Sequence, residues 1–203
     1  MIASIRCEDI DRHPDFVRLA ALADIVVDLR YAGANNFVGH DLYSPLDCAW
    51  IRREAGEALA RAAACLQAMR PGHRLLVLDA LRPQRVQEQL WARVRDTPDA
   101  LYIARPERGS IHSFGMAVDV TLIDGNGREL DMGTPFDDFS ELSHPALEER
   151  WLATGALTPS QVQHRLWLRD AMRHAGFRGI RSEWWHFDFG DRQTVREMLP
   201  RVL

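Results

Sequence analysis

The sequence contains no lysine, and it has no region in which basic residues are concentrated. All 25 basic residues are arginines spread along the 203-residue chain, and 29 acidic residues give a net charge of −4. A nucleic-acid-binding protein normally carries a basic patch or a net positive charge. We therefore expect no nucleic acid among the partners of this protein.

The N-terminal region also lacks a long uninterrupted hydrophobic segment. Its first thirty residues carry acids and arginines throughout, and Asp24 and Asp28 interrupt the apolar run from Leu19 to Leu29. A membrane span needs about 20 consecutive apolar residues, and a signal peptide needs an apolar core. We therefore expect a cytoplasmic protein with no membrane partner.

Cysteine is scarce as well. Cys7, Cys48 and Cys65 are odd in number, far apart in the sequence and without a C-x-x-C spacing. Exported proteins that depend on disulfides usually carry an even number of cysteines, so we expect these thiols to be reduced and mostly structural. Any metal in this protein would have to be bound by histidine and carboxylate side chains.

The first half of the chain predicts a helix, a strand and a second helix. Apolar residues recur at alternating four- and three-residue spacing from Ile51 to Met69, which is typical of an amphipathic helix. The short apolar run from Arg74 to Ala80 predicts a buried strand. Pro83 suits the first turn of a helix, so Arg82 is expected at a strand-to-helix junction.

The second half predicts a strand over residues 116–123, followed by a hairpin turn at "DGNG" (124–127) and a second antiparallel strand. A capping-box pattern begins a helix that runs from Thr158 to about His174. Residues 182–189 alternate like a strand, and a last helix covers roughly 191–199.

The order of these elements indicates the fold class. Strands and helices do not alternate regularly along the chain, which argues against a doubly wound sheet. The length suits one domain with a substantial core. We therefore predict a single α+β domain spanning residues 1–203, with a central, mainly antiparallel sheet flanked by helices.

One aspartate in the predicted strand 116–123 requires an explanation. Asp119 lies in the middle of a strand whose other residues are mostly apolar on both faces, so its side chain is expected to be buried. A buried aspartate is costly unless it is hydrogen-bonded, paired or bound to a metal. Backbone amides or an arginine would satisfy it in a purely structural role, and this alternative stays open.

A histidine seven positions earlier offers a metal-binding alternative. In a continuous strand His112 and Asp119 would lie roughly 23 Å apart, and in a helix about 10 Å apart. The two side chains could share one metal only if the chain reverses direction near Gly115, where glycine permits a tight turn.

The motif "EWWH" adds the remaining parts of a candidate catalytic site. His112, Asp119 and His186 would form a two-histidine, one-carboxylate zinc site with an open fourth position, and Glu183 would be the general base. Arg82 is the candidate for stabilising an oxyanion. Its sequence position alone favours a different interpretation, a surface arginine at the start of a helix.

Motifs along nearly the whole chain resemble known zinc peptidases. "SIHSFGMAVD" (110–119) with "EWWH" resembles the enzymes that share the fold of D-Ala-D-Ala carboxypeptidases and hedgehog signalling domains. "RYAGANNF" within residues 28–39 and "FDDF" within residues 132–144 narrow the resemblance to the D-alanyl-D-alanine dipeptidases. "DALRP" (79–83) and "GFRGIRSEWWHF" (176–187) also occur in that family's order.

The resemblance implies a role for each matching residue. His112, Asp119 and His186 match the zinc ligands, Glu183 the general base and Arg82 the transition-state arginine. An aspartate at the "FDDF" position binds the substrate's ammonium group in that family. This role falls on Asp137, while Ser110 and Tyr31 match positions that line the pocket.

The expected activity is therefore zinc-dependent hydrolysis of the D-Ala-D-Ala dipeptide to two D-alanines, in glycopeptide resistance or in D-alanine salvage. One alternative is a D,D-carboxypeptidase or L,D-endopeptidase that acts on longer peptidoglycan peptides. Another is a zinc-binding module without activity, which would have no need of Glu183 beside the metal. A structural α+β domain without a site is the remaining alternative.

Overall fold

A mixed sheet forms the centre of the computed structural model, which describes residues 3–203. Met1 and Ile2 of the predicted domain 1–203 lie outside the described residues. The strands in chain order are β1 (Phe16–Arg18), β2 (Ile25–Val27), β3 (Trp50–Arg52), β4 (Arg74–Asp79), β5 (Ala117–Ile123), β6 (Phe177–Gly179) and β7 (His186–Phe189).

Five of these strands form the central sheet, in the spatial order β2-β4-β5-β7-β6. β2 runs parallel to β4, and each of the other neighbouring pairs is antiparallel. β1 and β3 form a separate antiparallel ribbon. The prediction of an α+β fold with a mainly antiparallel sheet is confirmed.

Helices cover the sheet and provide most of the remaining core. They are α1 (Arg53–Met69), α2 (Gln84–Val94), α3 (Glu148–Thr154), α4 (Pro159–His174) and α5 (Arg192–Met198). Leu59 and Leu66 of α1 pack with Leu168 of α4 against the sheet, and all three are fully buried. Burying one leucine contributes about 1.5–3 kcal/mol. No helix in the described part of the chain is long and apolar enough to cross a bilayer.

One predicted helix boundary differs from the structure, and two others agree with it. The helix predicted from Ile51 begins at Arg53, because residues 50–52 pair with β1 before the helix starts. The capping box at Thr158 is formed, with reciprocal bonds to Gln161, and α4 ends at His174 as predicted. Side-chain periodicity therefore located the helical face of α1 and the capping box located the start of α4, while pairing with β1 decided where α1 begins.

Two predicted strands are shorter than the pattern indicated. The turn at 124–127 is present, but the returning chain makes only one isolated bridge, Ile123 to Glu129, instead of a second strand. The strand predicted over 182–189 is restricted to β7, because residues 182–185 form a bend. Glu183 lies in this segment, between the bends at Ser182 and Trp184 and before the first residue of β7.

Candidate active site

Two neighbouring strands and one short helix bring the predicted metal ligands together. Asp119 of β5 lies directly opposite His186 of β7 in the antiparallel register. His112 lies in the 3-10 helix Ile111–Phe114, whose first turn is capped by the side chain of Ser110. Gly115 then takes a φ of +68°, and a Cβ at this position would lie 2.7 Å from the ring of Phe16. The predicted chain reversal near Gly115 is confirmed.

The three side chains converge with the spacing that a metal ion requires. His186 Nδ1 lies 3.0 Å from Asp119 Oδ1 and 3.1 Å from His112 Nε2, and the His112–Asp119 pair is separated by 3.4 Å. Ligand atoms of a tetrahedral zinc site with bonds of 2.0–2.1 Å lie about 3.3 Å apart. The donor set of this buried group therefore fits one zinc ion.

The outer nitrogens of both histidines are already held by the protein. His112 Nδ1 donates to the carbonyl oxygen of Ala80 at 2.8 Å, and His186 Nε2 donates to Asp188 Oδ1 at 2.9 Å. These bonds select the tautomers that leave His112 Nε2 and His186 Nδ1 facing Asp119. Metal-ligating histidines are commonly oriented in this way by carbonyl or carboxylate partners.

The electrostatics of the ligand group keep Asp119 ionised. Burial would raise the pKa of Asp119, but the two histidines lower it far below its usual value. Burial likewise disfavours a charged His186, while Asp188 and Asp119 raise its pKa well above the usual value. A proton therefore competes with a metal ion for His186, as is usual for imidazole ligands.

Glu183 has the properties of a general base. It is buried beside the ligand group, and burial raises its pKa to about 7, although the nearby His186 acts in the opposite direction. A carboxylate with a pKa near neutrality can accept a proton and later release it at physiological pH. Its position and its pKa therefore suit the role that the sequence assigned to it.

Arg82 is not a surface arginine, so the interpretation favoured by its sequence position alone is wrong. The residue is only 7% exposed, and its guanidinium donates to Asp79 Oδ2 at 2.7 Å, to Asp119 Oδ2 at 3.2 Å and to Gln87 Oε1 at 3.2 Å. Although burial disfavours the charged form, Asp79 in particular raises the pKa of Arg82 well above its usual value. A fixed, permanently charged fork thus lies beside the ligand group.

Tyr31 and Asp137 form a second pair in the same site. The Tyr31 hydroxyl lies 3.0 and 3.1 Å from the two carboxylate oxygens of Asp137. Burial, with Asp119 nearby, raises the pKa of Asp137 well above its usual value. Asp137 also has a φ of +62°, a conformation that costs energy for a residue with a side chain and often occurs at functional sites.

One cavity of about 950 Å³ connects all these groups. Its lining includes every residue that the sequence predicted for the site: Tyr31, Arg82, Ser110, His112, Asp119, Asp137, Glu183 and His186. A pocket of this size can enclose a small peptide. The structure thus brings the whole predicted set into one place.

Sequence reasoning missed two buried aspartates that support the site. Asp79 accepts from Arg82 and from the Tyr43 hydroxyl, and Asp188 accepts from His186 and from Arg192. Asp188 could have been found, because residues two apart in a strand share a face and His186 precedes it by two. Asp79 stands at the end of a predicted strand, and nothing in its position alone connects it to Arg82.

Comparison with known proteins gives the family of this chain. The peptidase M15 family of D-Ala-D-Ala dipeptidases matches residues 13–202. A D-alanyl-D-alanine dipeptidase of Escherichia coli K12 is 37% identical over 175 residues, which cover 86% of this chain and 84% of the relative. A D-alanyl-D-alanine dipeptidase of Synechocystis is 34% identical over 85 residues, or 40% of this chain and 34% of the relative.

Among solved structures, the LdcB LD-carboxypeptidase aligns over 92% of this chain and 72% of its own, at 17% identity and a TM-score of 0.49. The sequence matches decide the class: this protein is a hydrolase that acts on peptides. More particularly, the chain belongs to the D-Ala-D-Ala dipeptidase family of M15 peptidases. The resemblance inferred from its motifs is therefore confirmed.

Proposed function

We propose that this protein is a zinc dipeptidase that hydrolyses the free dipeptide D-Ala-D-Ala to two D-alanines. One observation carries the proposal. The metal-binding group, a buried glutamate with a pKa near 7, and an aspartate suited to an ammonium group line the same pocket in a chain of this family. The physiological partner is then a small D,D-dipeptide, and the cytoplasm is the expected location.

His112, Asp119 and His186 would hold one zinc ion, which supplies Lewis acidity at the scissile carbonyl. Glu183 takes a proton from the attacking water while the water oxygen adds to the carbonyl carbon. It then delivers that proton to the amide nitrogen as the C–N bond breaks, so that its own charge is restored.

Arg82 would stabilise the negative charge that develops on the carbonyl oxygen in the transition state. A planar cation already fixed by Asp79 and Gln87 does not need to reorganise during the reaction. Its contact with Asp119 Oδ2 directs the guanidinium toward the metal ligands. The expected contribution of such a fixed donor is about 2–4 kcal/mol of transition-state stabilisation.

Asp137 would bind the free ammonium group of the dipeptide. An ammonium group that enters this buried pocket loses its hydrogen bonds to water. The carboxylate of Asp137, oriented by Tyr31, replaces them. The pKa of Asp137 is raised in the absence of such a cation, and a bound ammonium would lower it and ionise the group. A blocked amine would leave Asp137 unpaired, so the proposal predicts specificity for free dipeptides.

The test is release of D-alanine from D-Ala-D-Ala by the zinc-loaded protein, beside L-Ala-L-Ala and N-acetyl-D-Ala-D-Ala. Cleavage of the free D,D-dipeptide alone is the expected result. Cleavage of the acetylated compound would instead indicate a carboxypeptidase that accepts longer peptides. No cleavage of any of the three would remove the proposed activity and favour another wall peptide or a binding module.

A further inference from the structure

The outer part of the active-site cavity is lined by arginines that the proposed chemistry does not use. Arg105 and Arg108 precede Ser110, Arg178 and Arg181 lie in and after β6, and Arg196 lies on α5. We call these five residues the arginine rim. They come from three separate segments of a chain whose net charge is −4, so their convergence is a property of the fold.

The rim arginines form no direct ion pair within the described residues, and Asp191 of the lining interacts with Arg178 only through the attraction of their charges. Among ion pairs of residues 3–203, none joins an acidic side chain to any of these five arginines. Arg192 also lines the cavity, but it is paired with Asp188 and is therefore not counted in the rim. The one exposed acid in the lining, Asp191, uses its carboxylate to cap α5 by accepting bonds from the backbone of Gln193 and Thr194.

One rim arginine is held in place by backbone oxygens. Arg196 donates through Nε and Nη2 to the carbonyl oxygen of Gly109, at 3.2 Å each, and through Nη1 to the carbonyl oxygen of Arg192 at 3.3 Å. Burial and the like charges of Arg108, Arg192 and Arg201 lower its pKa. Cations gathered at a concave surface create a positive potential that an anionic ligand would relieve.

The rim lies on segments other than those that carry the proposed ammonium anchor. Tyr31 and Asp137 come from residues 30–32 and from the loop after Met132, while the rim comes from residues 105–108, 178–181 and α5. A dipeptide has its positive and negative groups at opposite ends. A substrate whose ammonium group lies on Asp137 would therefore direct its carboxylate end toward the other walls of the cavity.

We propose that the arginine rim is an anion subsite that receives the carboxylate end of the dipeptide and favours an acidic side chain on its second residue. Guanidinium forks bind carboxylates through paired, charge-assisted hydrogen bonds. The cavity of about 950 Å³ has room for a side chain much longer than the methyl group of alanine. This inference rests on the proposed dipeptidase activity and extends its substrate class to D-Ala-D-Glu and D-Ala-D-Asp.

The test compares D-Ala-D-Glu with D-Ala-D-Gln, which differ in charge but hardly in shape. For the unmodified enzyme we expect kcat/KM to be about threefold to tenfold higher for the D-Glu compound at low salt, and this preference to decline as salt screens the charges. A preference for D-Ala-D-Gln, or equal rates at low salt, would overturn the proposal.

Two matched triple variants, one in the rim and one outside the cavity, each replace three arginines with glutamine. Arg108→Gln, Arg178→Gln and Arg181→Gln change exposed rim residues. Arg12→Gln, Arg61→Gln and Arg93→Gln change exposed arginines outside the cavity and give the same net charge. The rim variant should lose the D-Glu preference through KM, and the control should keep it. Equal preferences in both variants would contradict the subsite.

A separate measurement distinguishes this inference from the dipeptidase activity. If the unmodified enzyme releases no D-alanine from D-Ala-D-Ala, the proposed function fails. The rim is then tested by calorimetric titration of the zinc-loaded Glu183→Gln protein with the same two dipeptides. Tighter binding of D-Ala-D-Glu that disappears in the rim variant supports the subsite, and equal dissociation constants reject it.

Discussion

At the scale of single residues, Glu183 combines burial with a pKa near 7, which are the properties expected of a general base. Replacing Glu183 with Gln should lower kcat by several orders of magnitude and leave zinc binding nearly unchanged, because Glu183 is not one of the metal ligands. Steady-state kinetics and metal analysis of the purified variant test this. Loss of zinc with unchanged peptidase activity would contradict the assignment.

The pKa of Glu183 predicts how kcat/KM changes on the acid side of the pH profile. The base acts when deprotonated, so kcat/KM should increase with pH and reach a plateau above the pKa of Glu183. That pKa is about 7 without a metal, and a nearby cation lowers it, so the limb should lie at or below pH 7. A profile that is flat from pH 5 to pH 8 would exclude Glu183 as the titrating base.

Asp79 is a positioning residue that acts through Arg82. Its carboxylate is fully buried and accepts from Arg82 Nε, so Asp79→Asn should lower kcat about 10- to 100-fold and change KM little. Tyr43→Phe is the matched control, because it removes the other side-chain partner of Asp79 and leaves the Asp79–Arg82 pair in place. If both variants lose kcat equally, the effect is structural and not specific to Arg82.

At the scale of elements, the pairing of β5 with β7 and the start of α5 together build the ligand environment. Asp188 of β7 accepts from His186 Nε2 and from Arg192 Nε, so one carboxylate connects the proposed metal ligand His186 to the next helix. The pKa of Asp188 is held at about 2, where burial is outweighed by His186 and Arg192. It therefore stays ionised throughout the physiological range.

Replacing Asp188 with Asn should weaken zinc binding about 10- to 100-fold, because the partner that fixes the tautomer of His186 becomes neutral. Competition with a chromophoric chelator measures this affinity independently of activity. Asp191→Asn removes a neighbouring carboxylate that does not contact His186 and should leave zinc affinity unchanged. Equal affinity in the unmodified protein and Asp188→Asn would exclude the orienting role.

Elements also differ in how far sequence could predict them. The face of α1 followed from apolar spacing and the start of α4 from its capping box, since both signals are local in sequence. The start of α1 at Arg53 and the start of the last strand at His186 depend on pairing with distant segments. Asp119, His112, His186 and Glu183 were predicted as a set because a buried carboxylate, two histidines and a reversing glycine have few common explanations.

At the scale of the whole molecule, the site makes the metal-free protein sensitive to pH. Glu183 has a pKa of about 7 when folded, against about 4.3 in an unfolded chain, so the folded state holds its proton more tightly between these values. The pKa values of Asp137 and His186 are raised too, which acts in the same direction. Stability that is present at low pH is therefore lost as pH rises.

The chelator-treated protein should accordingly unfold at lower urea concentration at pH 8 than at pH 5.5. Glu183 alone contributes about 2 kcal/mol to this difference. The Glu183→Gln protein, which lacks this titration, should be more stable than the unmodified protein at pH 8. Urea titrations of both proteins at the two pH values decide the matter, and identical midpoints would contradict the linkage.

The family, the α+β class and the residue types of the candidate site could be predicted from the sequence alone. These depend on local periodicity, on turn residues and on side-chain types, all of which can be read along one chain. Its arginines, by contrast, are spread evenly in the sequence, and only the tertiary structure gathers five of them at the mouth of the pocket. The burial of Arg82 and its contact with Asp79 were decided in the same way.

The physical reason is that pKa values, metal-ligand spacing and local potential depend on distances between atoms far apart in sequence. Asp119 lies 67 positions before His186, and their ligand atoms come within 3.0 Å only because β5 pairs with β7. Residue types set which chemistry is available, and the packing of the strands and loops sets which groups perform it together.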